Sequence, residues 1–213
     1  MKKSKALFPE YKFILASSSP RRKEILDLIN LDYRIILPKD AEEKSKAEFK
    51  DLEAKDFETK LKTYVSYLAS SKSANVLENN QLKANEIIIA ADTVIAFDGK
   101  IIGKAKTKEK AYELLKLLSG HTHEVYTAVS LENKFKQKTF ITSTKVKFYP
   151  FDALQDKLIK SYILEGEAFG KAGAYGIQDF GASFIESIEG DFYTVMGLPL
   201  AQLIREISDF ITD

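Results

Sequence analysis

The sequence predicts an α/β fold: a mixed, twisted sheet flanked by helices, in a single domain with two lobes. Three observations point there. Apolar runs at Phe13–Ala16 and Ile87–Phe97 have the length and composition of buried strands. Helical patterns alternate with them, at Pro20–Leu26, Phe57–Val76 and Thr107–Leu118, which is the order of an α/β sheet. An Asp98-Gly99 turn adds an antiparallel hairpin, so the sheet is mixed.

The chain has 213 residues, 45% of them hydrophobic, enough to bury one sizeable core. A formal net charge of +1 supplies no field for nucleic acid or an anionic membrane, so any anion site is a local cluster. Cysteine is absent, which excludes disulfides and thiolate metal sites and fits a cytoplasmic protein. Neither a secretory signal nor an apolar run of about 20 residues, the length of a membrane span, is present.

The first strand ends in Ser17-Ser18-Ser19-Pro20-Arg21-Arg22. Ser19 suits a helix N-cap, with Pro20 at the first helical position. Arg21 and Arg22 then stand at the positive end of the helix, where a cation is disfavoured unless an anion compensates. Free N–H groups, hydroxyls and guanidinium forks suit a phosphate. The same residues also fit a plain strand–helix junction with solvated arginines.

Tyr33–Leu37 reads as a second strand, followed by a charged loop containing Glu42 and Glu43, which is either solvated or a metal or base position. Residues 49–77 read as a helix with Lys72 near its end, and 75–85 as a polar loop. Asp92 interrupts the most apolar strand. A carboxylate there must be paired, protonated or bound to a cation, or else sit at a bulge with backbone donors. The hairpin returns the chain towards that end of the strand, carrying Lys104.

Thr107 and Asp152 suit N-caps of two further helices. His121 and His123 read as structural or surface side chains. Five of the chain's 10 glycines fall between Glu165 and Gly181, implying a loop whose backbone approaches something closely. Gln178 lies in it, with the donor and acceptor that read a nucleobase edge, or equally a loop side chain bonded to backbone. Residues 182–188 read as a strand, and the chain ends in a helix with Leu200, Leu203, Ile204 and Ile207 inward.

An anion cradle, a strand Asp, nearby lysines and an amide in a glycine-rich loop are what triphosphate cleavage needs. A divalent cation such as Mg2+ suits a carboxylate shared with phosphates. The P-loop, the dinucleotide fingerprint and the G-x-S-x-G elbow are all missing.

Several segments together resemble the Maf family of nucleoside triphosphate pyrophosphatases. They are Leu15-Ala16-Ser17-Ser18-Ser19-Pro20-Arg21-Arg22, Ala90-Ala91-Asp92-Thr93-Val94, Gly99 with Gly103-Lys104, and Leu118-Ser119-Gly120…His123-Glu124-Val125-Tyr126-Thr127. Lys171-Ala172-Gly173-Ala174-Tyr175-Gly176-Ile177-Gln178 and Val195-Met196-Gly197-Leu198-Pro199-Leu200 complete the set, in family order. The resemblance implies one Maf/ITPase-like domain over residues 1–213, its core about 12–208, with two lobes around a cleft.

The resemblance also implies hydrolysis of nucleoside triphosphates to monophosphate and pyrophosphate with Mg2+ or Mn2+, and the form of the Gln178 segment resembles the dTTP/UTP branch. It makes Asp92 the acceptor of the water proton. Arg21, Thr93 and Gln178 become specificity positions, with Ser17, Ser19, Arg22, Lys72 and Lys104 on the substrate. Asp92 with Glu42 or Glu43 would hold the metal. A homodimer is compatible with it. The chain departs from the family at Ala105, where proline is usual, and at Tyr67, where arginine is usual. A rival reading is a nucleotide-binding regulator of cell division acting through partner contact.

Overall fold

The computed structural model describes residues 7–39 and 56–212. In chain order they form β1 (Lys12–Leu15), α1 (Pro20–Leu28), β2 (Tyr33–Ile35), α2 (Phe57–Glu78), β3 (Glu86–Phe97), β4 (Lys100–Ile102) and α3 (Lys108–Leu118). There follow β5 (Thr122–Glu132), β6 (Gln137–Phe148), α4 (Ala153–Leu164), a 3-10 helix (Phe180–Phe184), β7 (Ile185–Glu189), α5 (Phe192–Met196) and α6 (Leu200–Thr212). The strands form one mixed sheet in the order β2-β1-β3-β5-β6-β7, with β4 paired to β3, in agreement with the predicted class. The chain divides into two compact units. One comprises Met1–Asp92, Thr127–Ile141 and Gly197–Asp213; the other comprises Thr93–Tyr126 and Thr142–Met196.

In the first unit, β1 lies between β2 and β3 and runs parallel to both, with Phe13 opposite Tyr33 and Ile87. Parallel neighbours need a crossover, and α1 supplies it between β1 and β2. Phe13 to Ala16 and Ile87 to Ala91 are sealed from solvent, as continuous apolar runs should be. Ile14, Ala16, Val76, Leu82, Ile88 and Ala90 share one core cluster. Helix α2 is capped by Asp56, whose carboxylate accepts from the Thr59 N–H at 2.8 Å.

The polar stretch predicted as a loop from residue 75 is helical as far as Glu78. Its asparagines close the helix end instead: Asn79 donates to the Asn75 carbonyl at 2.8 Å and Asn80 to the Val76 carbonyl at 2.7 Å. Asn75 itself exchanges two hydrogen bonds with the Lys39 backbone, at 2.7 and 3.0 Å. The predicted start of this helix, residues 49–55, lies outside the described residues.

In the second unit, Asp98 and Gly99 take left-handed φ values of 50° and 66° and turn β3 into β4. Thr107 caps α3 through the Lys110 N–H at 3.2 Å, and Asp152 caps α4 through the Gln155 N–H at 2.8 Å, both as predicted. Helices α3 and α4 pack together, and Leu115, Leu118, Val125, Phe148, Tyr162 and Phe184 belong to the core beneath them.

The predicted strand at 182–188 begins only at Ile185. Asp179 accepts from the Gly181 N–H at 2.8 Å through its side chain and from the Ala182 N–H at 2.9 Å through its carbonyl, which winds 180–184 into a 3-10 turn. A Cβ on Gly181 would stand 2.7 Å from the Gly176 carbonyl oxygen, and one on Gly176 would collide with the Asp179 carboxylate. What the dense glycines approach, then, includes their own loop.

His121 lies beside Phe97 with ring centroids 5.3 Å apart. His123 is buried, edge-on to Phe148 and Tyr175, and its Nε2 is 2.8 Å from the Tyr175 hydroxyl. Its Nδ1 has no partner among the described residues. Burial lowers its pKa to about 4.

Two outcomes follow from this packing. Gly181→Ala is expected to lower stability by about 1–3 kcal/mol, since backbone rather than a flexible side chain meets the new methyl; urea unfolding measures it. For His123, the unfolded chain takes up a proton near pH 6.5, the folded chain only near 4. Stability from the neutral ring is therefore complete above about pH 6.5 and is lost as pH falls towards 4, by roughly 3 kcal/mol in total. His123→Gln removes that slope from unfolding curves taken across this window; an unchanged slope contradicts the assignment.

Candidate active site

The loop after β1 begins where the Ala16 N–H donates to the Ile89 carbonyl at 2.9 Å. Ser19 is the N-cap residue, with extended backbone and Pro20 next to it, but its hydroxyl makes no capping bond, contrary to expectation. Ser17 does the local bonding instead. Its Oγ accepts from the Ser19 N–H at 3.2 Å, an ordinary serine turn, and from Arg22 Nη1 at 3.1 Å. Arg22 Nε donates to the Gly197 carbonyl at 2.8 Å. The guanidinium is thus aimed by two neutral acceptors rather than left to solvent.

Burial lowers the Arg22 pKa; the Asp92 charge opposes this, and the half-buried Arg21 charge adds to it. Asp92 is therefore the anion that compensates a cation at the positive end of α1. It stands at the end of the sealed run of β3 and is itself only partly buried, with 19% of its side chain exposed. Its Oδ1 is ion-paired and hydrogen-bonded to the Lys72 ammonium, which α2 delivers. Of the ways a carboxylate survives in such a strand, pairing is the one found here.

Lys72 is carried on a helix locked to the sheet by polar groups that sequence reasoning passed over. Ser73 is fully buried; its Oγ donates to the Ser70 carbonyl at 2.9 Å and lies 2.9 Å from Ser130 Oγ. Gln137 Nε2 reaches Ser73 at 3.2 Å and Glu132 at 2.8 Å. The signal was available: Ser73 follows Ala69 by four residues, on the buried stripe of α2. The Gly197 carbonyl carried no comparable signal, since it lies 175 residues from its partner.

Thr93, Lys104 and Gln178 belong to the second unit. Thr93 is half-buried in β3. Lys104 is exposed and its backbone bridges to Ala172 in the glycine-rich loop, which the Gly173 N–H joins by donating to the Gly103 carbonyl at 3.2 Å. The Gln178 side chain is exposed, and its amide has no hydrogen-bond partner among the described residues.

Glu42 and Glu43, the loop acids expected to share a metal, lie outside the described residues. Among those described, no group of three His, Asp or Glu side chains gathers into a cation cage. Asp92 supplies a hard oxygen, which fits Mg2+ or Mn2+ shared with substrate phosphates rather than a cation caged by protein alone. Among the described residues no helix is long and apolar enough to cross a membrane.

The first unit therefore presents a carboxylate ion-paired to an ammonium and facing the charge of a guanidinium. Groups of these three kinds can neutralise phosphoryl oxygens and accept a proton from water. The chain is 40% identical to a dTTP/UTP pyrophosphatase of Bacillus cereus, over 95% of this chain and 97% of the relative. It is 42% identical to one of Bacillus cytotoxicus, over 93% and 95%, and 45% identical to one of Carboxydothermus hydrogenoformans, over 93% and 98%. A family model described as Maf-like protein matches residues 12–210, nearly the whole of both units, and the chain belongs to the Maf family.

Proposed function

We propose that the chain is a nucleoside triphosphate pyrophosphatase that hydrolyses dTTP and UTP to the nucleoside monophosphate and pyrophosphate, its residues 12–208 forming one catalytic domain. The observation that carries this reading is the Asp92 carboxylate, held at the end of a sealed strand by Lys72 and facing the charge of Arg22. Relatives named dTTP/UTP pyrophosphatases supply the substrate class.

Asp92 orients a water and takes its proton as the oxygen attacks the α-phosphorus. The bond from that phosphorus to the α–β bridging oxygen breaks, and the electron pair leaves on pyrophosphate. Arg22, directed by Ser17 and Gly197, meets the phosphate chain and offsets its charge. Lys72 exchanges part of its bond to Asp92 for a phosphate oxygen, which leaves the carboxylate freer to act as a base. Ser17 and Ser19 line the same turn, and Lys104 adds a further cation. Arg21, Thr93 and Gln178 select the base. Asp92 would hold a divalent cation, which would supply neutralisation of charge on the triphosphate.

Asp92→Asn is expected to lower kcat by about 10²–10⁴-fold, the usual worth of a positioned base, while urea unfolding stays cooperative. Full activity in that variant contradicts the assignment. The products of dTTP with magnesium are expected to be monophosphate and pyrophosphate by ion-exchange analysis; diphosphate and orthophosphate would refute the reaction class. Gln178→Ala should blur the choice among pyrimidine triphosphates more than it lowers the maximal rate. Equal selectivity before and after the change counts against a base-reading role.

A further inference from the structure

We propose that the cluster of buried Lys171 and Tyr162 with half-buried Asp179 is the positioning device for Gln178, and thereby a second determinant of which base is accepted. The inference rests on the base-reading role of Gln178 given above. Asp179 is the next residue in the chain. Its Oδ2 takes the Lys171 ammonium, and its Oδ1 accepts from the Tyr162 hydroxyl at 3.0 Å and from the Gly181 N–H at 2.8 Å. The same hydroxyl accepts from the Gly176 N–H and from Lys171, each at 3.1 Å. One donation and two acceptances use everything a tyrosine hydroxyl offers.

Gln178 is therefore flanked by two fixed points. Gly176, two residues before it, and Asp179, one after it, are tied to the same hydroxyl–carboxylate pair. That pair is not a surface decoration. Tyr162 is fully buried and Lys171 is 9% exposed. Burial pulls the Lys171 pKa down, but its bonds to Asp179, Tyr162 and Glu167 outweigh that and hold it above the ordinary lysine value. A buried ammonium tolerates no loss of partners, so the loop has one arrangement that satisfies it. Gly176 leaves no room for a side chain beside the Asp179 carboxylate. The glutamine at the centre is exposed and has rotamer freedom of its own. Reading a base edge with such a side chain demands a backbone that does not move.

The test compares kcat/KM for dTTP, UTP and CTP in Tyr162→Phe, Asp179→Asn, Gln178→Ala and the Gln178→Ala/Tyr162→Phe double variant. The two cluster variants are expected to reduce the preference for dTTP and UTP over CTP by about the factor that Gln178→Ala does, on the order of tenfold, through KM rather than kcat. The double variant should be no worse than Gln178→Ala alone, because both changes remove one function. Leu115→Ala, a stability loss in the core of the same unit, should leave the preference intact. Loss of preference in Gln178→Ala but not in the cluster variants overturns the positioning role alone. No loss in Gln178→Ala overturns the base-reading role and this inference with it. Should Asp179→Asn fail to fold, hydrogen exchange in Tyr162→Phe decides. Faster exchange at the Gly176 amide is expected, and unchanged protection there overturns the proposal.

Discussion

The carboxylate of Asp92 follows directly on Ile87–Ala91, residues with no meaningful contact with solvent, and the chain has to supply it with positive charge. Lys72 does so by direct contact and Arg22 by its field. Everything else in the first unit can be read as the consequence. Helix α2 must hold Lys72 at a set height over the sheet, which its apolar stripe and the Ser73–Ser130 contact accomplish together. Helix α1 must start where an arginine in its first turn reaches back, which fixes the length of the serine turn after β1. The pairing is partly exposed on both sides. Such pairs contribute modestly to stability.

Arg22 illustrates how neutral groups direct a cation without cancelling it. A serine hydroxyl and a glycine carbonyl, both uncharged, take two of its five donors. The second unit uses the opposite tactic around Asp179, where lysine, tyrosine and backbone donors saturate the carboxylate. Asp92 is bonded through one oxygen, to Lys72, whereas both oxygens of Asp179 are bonded. The difference tracks surroundings, not residue type.

Much of this was legible in the amino-acid order. The β1 and β3 runs, the Asp98-Gly99 turn and the Thr107 and Asp152 caps depend on neighbours within a few residues, so local pattern sufficed. The prominence of Asp92 and Arg22 was legible too, because each violates a local rule: charge in an apolar run, and a cation at the positive end of a helix. What escaped depended on distant partners. Ser19 looked like the capping hydroxyl, yet Ser17 bonds the turn because Arg22 draws it there. Residues 182–184 read as the start of a strand, and Asp179 winds them into a 3-10 turn while Lys171 and Tyr162 hold its carboxylate. The asparagines at 75–80 looked like loop composition, although side-chain amides serve equally well to finish a helix.

The central claim is that Asp92 accepts a proton from water rather than attacking phosphorus itself. Turnover in oxygen-18 water of a dTTP analogue whose α-phosphorus is made chiral by a sulfur substituent separates these most directly. If Asp92 is the base, a single displacement by water gives a monophosphate with inverted configuration at that phosphorus. Retained configuration would mean two displacements through a covalent nucleotidyl–enzyme and contradict the account.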